Sequence, residues 1–390
     1  MDAMNDRLNT YGLTTDQTAM QDMVRAYSDT NIAPHAVAWD QEKHFPLDVI
    51  KQTAELGMGG IYCREEHGGS GLTRLDAAVI FEAMATGCPA TSAFISIHNM
   101  VAWMIDTFGD DDQRARVLPA LMSMEKIASY CLTEPGSGSD AAAMKTTAKP
   151  SGNGYVLNGV KQFISGAGSN DLYVVMARTE DAQGNDQGVS AFIVEDGSEG
   201  LSFGAQEAKM GWHVQPTAQV ILDDCFVPLE NRINAEGMGF KMAMAGLDGG
   251  RLNIAACSLG GAQAAFDRAQ AYSTERKAFG QEIGRFQAIQ FKLADMATDL
   301  EAARLMLYSA ATALDSKAYE ASKRCAMAKR FVTDTCFNVA NEALQIHGGY
   351  GYLADYGVEK IVRDLRVHQI LEGTNEIMRV IIARALEKSA

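Results

Sequence analysis

Residues 130–140 read YCLTEPGSGSD, and this stretch decides between two fold classes. Gly136, Gly138 and Ala141 satisfy the loose G-x-G-x-x-A form of a dinucleotide-binding fingerprint. That fingerprint also needs a helix, a second parallel strand and an acidic residue about 20 positions later. Here Asn158-Gly159 follows instead, between two strand-like segments, which is the signature of a β-hairpin. The sequence therefore argues against a Rossmann domain. It leaves two interpretations of residues 130–140: a Pro-Gly turn that leads into a capped helix, or a backbone-rich loop that holds a polar ring system.

Strand-like segments surround this stretch on both sides and run from about residue 127 to 231. Their apolar residues alternate with a period of two, and turn residues separate them. Closely spaced strands without intervening helices predict a small antiparallel barrel or sandwich. The predicted strands cover residues 155–157, 161–165, 172–177, 189–194 and 218–227.

Helical patterns occupy the two flanks of the strand region. Residues 75–86 and 93–108 carry apolar side chains at steps of three and four, and Asp110 begins an acidic run that resembles a helix N-cap. In the C-terminal flank the spacing predicts a bundle seam, and Gly348 stands where a helix C-cap glycine would. The seam residues are Ile289, Leu293, Met296, Leu300, Ala303 and Leu307. We therefore predict an α+β multidomain protein with an all-α domain at 1–126, an antiparallel β-barrel domain at 127–235 and a helical bundle at 236–390.

Composition excludes several function classes. The 390 residues carry a formal net charge of −15, which disfavours nucleic acid and anionic membrane surfaces as partners. The seven cysteines are scattered without a CxxC pair, so we expect reduced structural thiols and no metal site. No apolar run approaches the roughly 18 residues of a membrane span. The acidic start MDAMNDRLNTYGLTTDQ lacks the features of a cleavable signal, so we expect a cytoplasmic bacterial protein, or a processed protein of the mitochondrial matrix.

Three further motifs have both a structural and a functional interpretation. Residues 246–251 (GLDGGR) predict either a turn with Arg251 as a surface charge, or glycines that let a ligand approach while Arg251 holds a phosphate or carbonyl. Arg276 and Lys277 are either a solvated pair or a pyrophosphate clamp. Residues 345–351 (QIHGGYG) stop a helix, and His347 within them is more often a structural histidine than a catalyst.

The last motif, residues 367–379 (VHQILEGTNEIMR), contains the strongest catalytic candidate. Thr374 or Asn375 can cap a final helix over residues 377–386. Glu372 stands between apolar Ile370-Leu371 and a glycine with no side chain to obstruct access. Once a substrate excludes water, such surroundings raise the pKa of a carboxyl group and make it a useful base.

Together these five stretches resemble the acyl-CoA dehydrogenase family, and the resemblance runs from about Gly12 to Arg384. It implies an N-terminal helical domain, a middle β domain, a C-terminal four-helix bundle, and a homotetramer that binds one FAD per subunit. It also implies that Glu372 removes the α-proton of an acyl-CoA while the β-hydride passes to the flavin. Electrons then pass to an electron-transferring flavoprotein.

The resemblance carries roles over to individual positions. It implies flavin contacts at Tyr130, Leu132, Thr133, Ser139, Phe163, Ile164 and Ser165, and others near the cofactor at Thr374, Asn375 and Glu376. It implies contacts with the FAD of a neighbouring subunit at Arg276, Phe286, Gln287, Gln345, Gly348 and Gly349. It implies substrate contacts at Ser139, Asp248, Gly249, Gly250, Arg251, Leu371, Gly373 and Arg384.

The substrate is expected to be a short branched acyl thioester. Leu371 stands where straight-chain relatives carry Tyr, and a smaller side chain there leaves room for an α-methyl branch. Some relatives carry the base immediately before the arginine that matches Arg251; here that place is Gly250, so Glu372 has no competitor. Asp248 and Phe286 depart from the pattern of the most similar subgroup. We expect isobutyryl-CoA as substrate, with butyryl- and 2-methylbutyryl-CoA as alternatives. An oxidase or monooxygenase on the same scaffold, and a non-catalytic acyl-CoA binder, are the rival functions.

Overall fold

Helices occupy both ends of the chain and strands occupy its middle. The computed structural model describes residues 11–181 and 183–388, so the predicted lack of a targeting signal at the N-terminus falls largely on residues 1–10, outside the described residues. The N-terminal helices are α1 (Thr15–Asn31), α2 (Ala36–Glu42), α3 (Leu47–Gln52), α4 (Arg74–Ala85), α5 (Pro89–Phe108) and α6 (Asp111–Met122). The predicted cap of α6 is confirmed: an Asp110 carboxylate oxygen accepts a hydrogen bond from the Gln113 backbone N–H at 2.8 Å.

Eight strands form one sheet after α6. They are β1 (Ala128–Cys131), β2 (Thr147–Ser151), β3 (Gly154–Ser165), β4 (Leu172–Glu180), β5 (Asp186–Glu195), β6 (Leu201–Phe203), β7 (Thr217–Pro228) and β8 (Arg232–Ile233). The strand order is β6-β7-β3-β2-β4-β5-β8, with β1 beside β4. The predicted middle β domain is confirmed, but its sheet does not close into the predicted antiparallel barrel: β6 and β8 are short edges that do not pair with each other, and β1 and β2 both run parallel to β4.

The predicted hairpin at Asn158-Gly159 is also wrong, because β3 continues through both residues. Asn158 pairs across to the neighbouring strand, where its Nδ2 donates to Asp224 Oδ1 at 3.0 Å. A β-carbon at Gly159 would lie 2.4 Å from Thr146 Oγ1, so glycine allows a close approach at a bulge in the strand. The hairpin that does form joins β2 to β3, and its turn contains Gly152, where φ is 56°.

The C-terminal helices follow the sheet. They are α7 (Gly239–Glu275), α8 (Gln287–Asp315), α9 (Ala321–His347), α10 (Val358–His368) and α11 (Asn375–Glu387), with a small hairpin of β9 (Lys277–Ala278) and β10 (Gln281–Glu282) between α7 and α8. Four of the six predicted seam residues, Met296, Leu300, Ala303 and Leu307, are buried on α8, and Ile289 and Leu293 are partly buried against the same core. Gly348 is the C-cap of α9, as predicted. The domain limits at residues 126 and 235 stay predictions.

Residues 246–251 do not form the predicted turn, because they lie inside the 37-residue helix α7. Glycine lowers helix stability by roughly 1 kcal/mol relative to alanine in a helix interior, so packing must require it here. A β-carbon at Gly246 would lie 3.2 Å from Met104 Sδ, and one at Gly249 would lie 2.4 Å from Arg74 Nη1. Neighbouring elements therefore pack closely against this part of α7.

Strand β4 shows how the sheet joins the helical flanks. Leu172, Val174 and Met176 pack in one cluster with buried residues of α5 and α6, whereas Tyr173 and Val175 pack in a second cluster with β3 and β7. This alternation is the period of two that the sequence contains. Within the described part of the chain, no helix combines the length and apolarity that a membrane crossing requires.

Candidate active site

Glu372 lies in the short loop between α10 and α11, against Gly250 in the N-terminal third of α7. Its φ is 55°, and the φ of Gly373 is 86°, so two successive residues adopt the left-handed conformation. This geometry turns the Glu372 carboxylate toward α7, where a β-carbon on Gly250 would lie 2.4 Å from Oε2. A side chain at position 250 would therefore displace the carboxylate.

The Oε2 atom of Glu372 is buried and has no hydrogen-bond partner among the described residues. Burial raises the pKa of Glu372 to about 7, although the charges of Arg251 and Lys329 act in the opposite direction. A carboxylate with one buried, unpaired oxygen and a pKa near neutrality is suited to accept a proton. The sequence-based expectation of a raised pKa agrees with this geometry.

A second buried oxygen without a partner among the described residues is Tyr130 Oη, at the end of β1. Burial, and after it the charge of Glu372, raises the pKa of Tyr130 well above its ordinary value. Buried polar groups are normally hydrogen-bonded, so the two unpartnered oxygens of Tyr130 and Glu372 are candidate contacts for a polar ligand.

Arg251 supports the loop of Glu372 from α7. Its side chain is buried, which excludes the interpretation of a surface charge. Nη1 donates to Asp248 Oδ1 at 2.5 Å, and Nε donates to the Glu372 carbonyl oxygen at 3.4 Å. Asp248 also accepts a hydrogen bond from the Ser322 hydroxyl. The predicted substrate residues 248–251 and Glu372 are therefore brought together.

Within residues 130–140, the end of β1 leads into a tight turn in which Glu134 and Ser137 exchange backbone hydrogen bonds of 3.0 and 3.1 Å. A single 3₁₀ turn follows (Ala141–Ala143), in place of the capped α-helix that was one interpretation. The Glu134 carboxylate accepts from Lys161 Nζ at 2.8 Å, and Lys161 also donates to the Leu132 carbonyl oxygen at 3.1 Å. The end of β3 is thereby fastened to this turn.

The two predicted flavin segments are adjacent. Gln162 donates its backbone N–H to the Thr133 carbonyl oxygen at 2.8 Å, next to Phe163. Phe163 has a φ of 60° and is 65% exposed, so the strand turns a large apolar ring outward. Ile164 points the other way, into the core, and Ser139 is exposed. Only some of the predicted positions therefore present a side chain at this surface.

The other predicted FAD positions divide between a cavity and its surroundings. A cavity of about 350 Å³ is lined by Tyr272, Arg276, Ile283, Ile346, His347, Gly348, Gly349, Tyr350 and Leu353. The Arg276 guanidinium lies 5.4 Å from the centre of the Tyr350 ring. His347 is buried, stacks on Tyr272 and hydrogen-bonds the Ala343 carbonyl, as a structural histidine does. Phe286, Gln287 and Gln345 do not line this cavity.

The last predicted positions have local structural contacts. Thr374 caps α11 by accepting a hydrogen bond from the Ile377 N–H, which confirms the predicted cap. Asn375 is buried, and its side chain bonds to Lys329 and Asp334 of α9. Glu376 and Arg384 are exposed on α11.

Sequence reasoning missed Lys329, whose Nζ donates to the Gly373 carbonyl oxygen at 2.8 Å. A signal existed in the printed sequence: Lys329 falls on the apolar face of α9 that Cys325, Val332 and Cys336 define at steps of three and four. A lysine on a buried stripe needs a partner, and the loop after Glu372 provides it.

The sequence matches three domain families along almost its whole length. Residues 14–125 match the acyl-CoA dehydrogenase N-terminal domain, residues 129–225 the middle domain, and residues 237–387 the C-terminal domain. The chain is 53% identical to mitochondrial isobutyryl-CoA dehydrogenase of Bos taurus, over 96% of this chain and 90% of the relative. It is 54% identical to the Dictyostelium discoideum protein of the same name, over 97% and 90%.

Solved structures show the same fold. A chain of the structure described as "Electron transferring flavoprotein of Acidaminococcus fermentans" superimposes with a TM-score of 0.93 and 41% identity, over 97% of this chain and 99% of that chain. Glutaryl-CoA dehydrogenase of Mycobacterium smegmatis in complex with FADH2 superimposes with a TM-score of 0.91 and 25% identity, over 98% and 96%. Three matching domains, high identity over most of both chains and one shared fold lead to a single conclusion: the chain belongs to the acyl-CoA dehydrogenase family.

Proposed function

We propose that this chain is an FAD-dependent dehydrogenase that converts isobutyryl-CoA to methacrylyl-CoA, with Glu372 as the base. The observation that carries the proposal is the buried, unpartnered Oε2 atom of Glu372, which faces the bare backbone of Gly250. The identity of 53–54% to two isobutyryl-CoA dehydrogenases supports the choice of substrate. Butyryl- and 2-methylbutyryl-CoA are the alternative substrates.

The geometry supports proton removal at a thioester α-carbon. That carbon is only weakly acidic, so the base must be stronger than an exposed carboxylate, and a pKa of about 7 provides this. Arg251 holds the Glu372 carbonyl oxygen, and Lys329 holds that of Gly373, so the base has a fixed position before substrate arrives. The half-buried Leu371 occupies less space beside the base than Tyr would.

We propose that Tyr130, Thr133, Phe163 and Ser165 would contact a bound FAD. The unpartnered Tyr130 hydroxyl and the exposed Phe163 ring are the features that a bound flavin would satisfy. When bound there, FAD would supply the acceptor for the hydride of the substrate β-carbon. The arginine-lined cavity at Arg276 supports a pyrophosphate contact from a neighbouring subunit.

We propose an electron-transferring flavoprotein as acceptor and a homotetramer as the assembly. A structure named for such a flavoprotein contains a chain of this fold, which supports the first proposal. All seven cysteines are buried free thiols, which supports a reducing compartment such as a bacterial cytoplasm or a mitochondrial matrix.

Glu372→Gln is the test of the catalytic role. We expect the variant to be purified as a yellow FAD protein that does not bleach with isobutyryl-CoA, because the amide cannot accept the α-proton. Glu387→Gln is the matched control, since Glu387 is an exposed glutamate of α11 with no predicted site role, and it should bleach as the wild type does. Full bleaching by Glu372→Gln would remove Glu372 from this role. A wild-type protein without flavin absorbance would favour the non-catalytic binder. Wild-type turnover compared on isobutyryl-, 2-methylbutyryl-, butyryl- and isovaleryl-CoA tests the proposed substrate.

A further inference from the structure

A backbone hydrogen bond joins the two ends of the loop that carries Glu372, and the backbone of Glu372 itself is strained. The Asn375 backbone N–H donates to the Gln369 carbonyl oxygen at 3.0 Å, which closes the loop between α10 and α11. Within it, Glu372 adopts a left-handed φ of 55°. A non-glycine residue in this conformation costs about 1–2 kcal/mol and persists only where the surroundings hold it. Contacts with neighbouring elements must therefore stabilise this backbone conformation.

Lys329 of helix α9 makes such contacts with the loop. The Lys329 side chain is fully buried, and Nζ donates to the Gly373 carbonyl oxygen at 2.8 Å and to Asn375 Oδ1 at 2.9 Å. The Asn375 amide in turn donates to Asp334 Oδ1 at 2.7 Å and Thr333 Oγ1 at 3.0 Å. Both residues that Lys329 contacts lie within three positions of Glu372, so its ammonium group acts directly on the loop of the base.

The charge of Lys329 has no close counter-ion. Among residues 11–181 and 183–388, no carboxylate lies within 4.0 Å of Nζ, although nearly every other buried lysine or arginine side chain has one. Burial lowers the pKa of Lys329 to about 7, and of the charges that oppose this effect, Glu372 is the strongest.

The charged groups around the pair come from four elements. Asp334 lies on α9, Arg251 on α7, Glu376 on α11 and Glu372 in the loop, and all four act on Lys329. Glu372 is faced by Arg251 and Lys329, and the Tyr130 hydroxyl of β1 is near. Of the two cations that favour the ionised form of Glu372, Arg251 has the larger effect and Lys329 the smaller. Arg251 also forms an ion pair with Asp248, whereas Lys329 has no carboxylate partner of its own among the described residues, so Lys329 adds positive charge that Glu372 shares with no other close carboxylate.

We propose that Lys329 is a positioning residue for the dehydrogenation: its ammonium group holds the loop of Glu372 in shape and supplies the positive charge that balances the ionised base. This inference rests on the proposed role of Glu372. If Lys329 only held the loop by hydrogen bonds, its removal would not change the pKa of Glu372. If its charge also stabilises the ionised carboxylate, its removal raises the pH at which Glu372 loses its proton. The pH profile therefore separates the two roles.

The test uses purified FAD-containing wild type, Lys329→Met and the control Lys323→Met, which makes the same change on the same helix at a lysine paired with Glu320. The first readout is kcat for isobutyryl-CoA from pH 5.5 to 9.5. The second does not depend on turnover: the carboxylic-acid carbonyl band in the infrared spectrum, assigned to Glu372 by its loss in Glu372→Gln, is followed through the same pH range.

We expect Lys329→Met to move the rising limb of kcat, and the loss of the infrared band, about one pH unit or more higher, since a carboxylate that loses a neighbouring cation binds its proton more tightly. At pH 7 kcat should fall about tenfold, with partial recovery at pH 9. Lys323→Met should match the wild type in both readouts. An unshifted profile and band in Lys329→Met, whatever the loss of rate, would overturn the proposal and leave a purely structural clamp.

Lys329→Gln covers the case in which Lys329→Met does not fold, because it keeps a hydrogen-bond donor and removes only the charge. The same alkaline shift is expected, and an unshifted profile again overturns the proposal. Failure of the proposed function is distinguishable from failure of this inference. If Glu372→Gln turns over normally, both fall. If Glu372→Gln is inactive while both Lys329 variants keep the wild-type profile, the inference about Lys329 falls alone.

Discussion

The backbone of Gly250 lies so close to Glu372 that a β-carbon at position 250 would be 2.4 Å from the Glu372 Oε2 atom. In some relatives, by the resemblance noted above, the base occupies the position before the arginine that matches Arg251, which is position 250 here. The structure gives a physical reason for this exchange. A carboxylate at position 250 of α7 and the carboxylate of Glu372 would occupy the same space. The catalytic base can therefore stand at either position, but the two carboxylates cannot be present together.

Gly250→Ala should reduce kcat about tenfold or more with little loss of stability. The added methyl group meets the far end of a flexible side chain, so Glu372 can swing away at low cost, but it then leaves its working position. Steady-state kinetics and thermal melting check this. Gly246→Ala is the matched control on the same helix, where the methyl group would meet the flexible side chains of Met104, at 3.2 Å, and Met100, at 3.6 Å, and not Glu372. Equal kcat in the two variants would contradict the prediction.

Glu372→Gln should be more stable than the wild type at high pH. The Glu372 carboxyl group has a pKa of about 7 in the folded protein and about 4.5 in the unfolded protein, so the folded state binds its proton more tightly. The free energy of unfolding of the wild type therefore falls as the pH rises from about 4.5 through 7. The glutamine variant lacks this loss. The difference in unfolding free energy should be near zero below pH 4.5 and reach about 2 kcal/mol above pH 7, less than the full shift because Glu372 is partly exposed. Urea unfolding at several pH values measures it, and parallel curves would refute the raised pKa.

Lys161→Met should destabilise the protein by about 3–5 kcal/mol, because it leaves the buried Glu134 carboxylate without its cation. The Glu134 oxygens would keep the Thr146 and Lys145 donors, but not the charge. Urea denaturation with the double variant Lys161→Met/Glu134→Gln tests the cause, since the neutral amide should recover part of the loss. Lys149→Met, at an exposed lysine of β2, should change little. A double variant as unstable as the single one would show that the ion pair is not the reason.

Leu371→Tyr should reduce the preference for isobutyryl-CoA over butyryl-CoA about tenfold. A larger ring beside the base would fill the space that an α-methyl branch needs, and discrimination of one methyl group in an apolar pocket is worth roughly 10–200-fold. The ratio of the two kcat/KM values is the measurement. Ile370→Tyr, at a neighbour that is 49% exposed, is the control and should leave the ratio unchanged. An unaltered ratio in Leu371→Tyr would remove this residue from specificity.

Arg276→Ala should weaken FAD retention about tenfold. Arg276 is the arginine that lines the 350 Å³ cavity with Gly348 and Gly349, and a charge-assisted contact to a phosphate is worth about 1.5–3 kcal/mol. Equilibrium dialysis followed by flavin absorbance gives the dissociation constant. Arg285→Ala removes an exposed arginine paired with Glu282 and should retain FAD normally. If both variants hold FAD equally, the cavity does not bind the cofactor.

Local sequence pattern predicted the helical flanks, several helix caps and the four long strands β3, β4, β5 and β7. Asp110 and Thr374 cap the helices that they were expected to cap, because an N-cap depends on residues within one turn. The spacing of Met296, Leu300 and Ala303 predicted the buried face of α8 for the same local reason. Asn158-Gly159 and residues 246–251 misled this reasoning, because there a neighbouring element, and not a turn, requires the glycine.

The sequence by itself determined the order of helices, strands and helices, and singled out Glu372 by its apolar neighbours and the glycine after it. Only the tertiary structure shows that the sheet is open and that the Glu372 carboxylate occupies the space where a side chain at Gly250 would lie. It also shows that Lys329 of α9 donates a hydrogen bond to the Gly373 carbonyl oxygen. Hydrophobic periodicity and capping act over a few residues, so they can be read along the chain. The surroundings of a buried charge come from segments far apart in sequence, and only their packing brings those segments together.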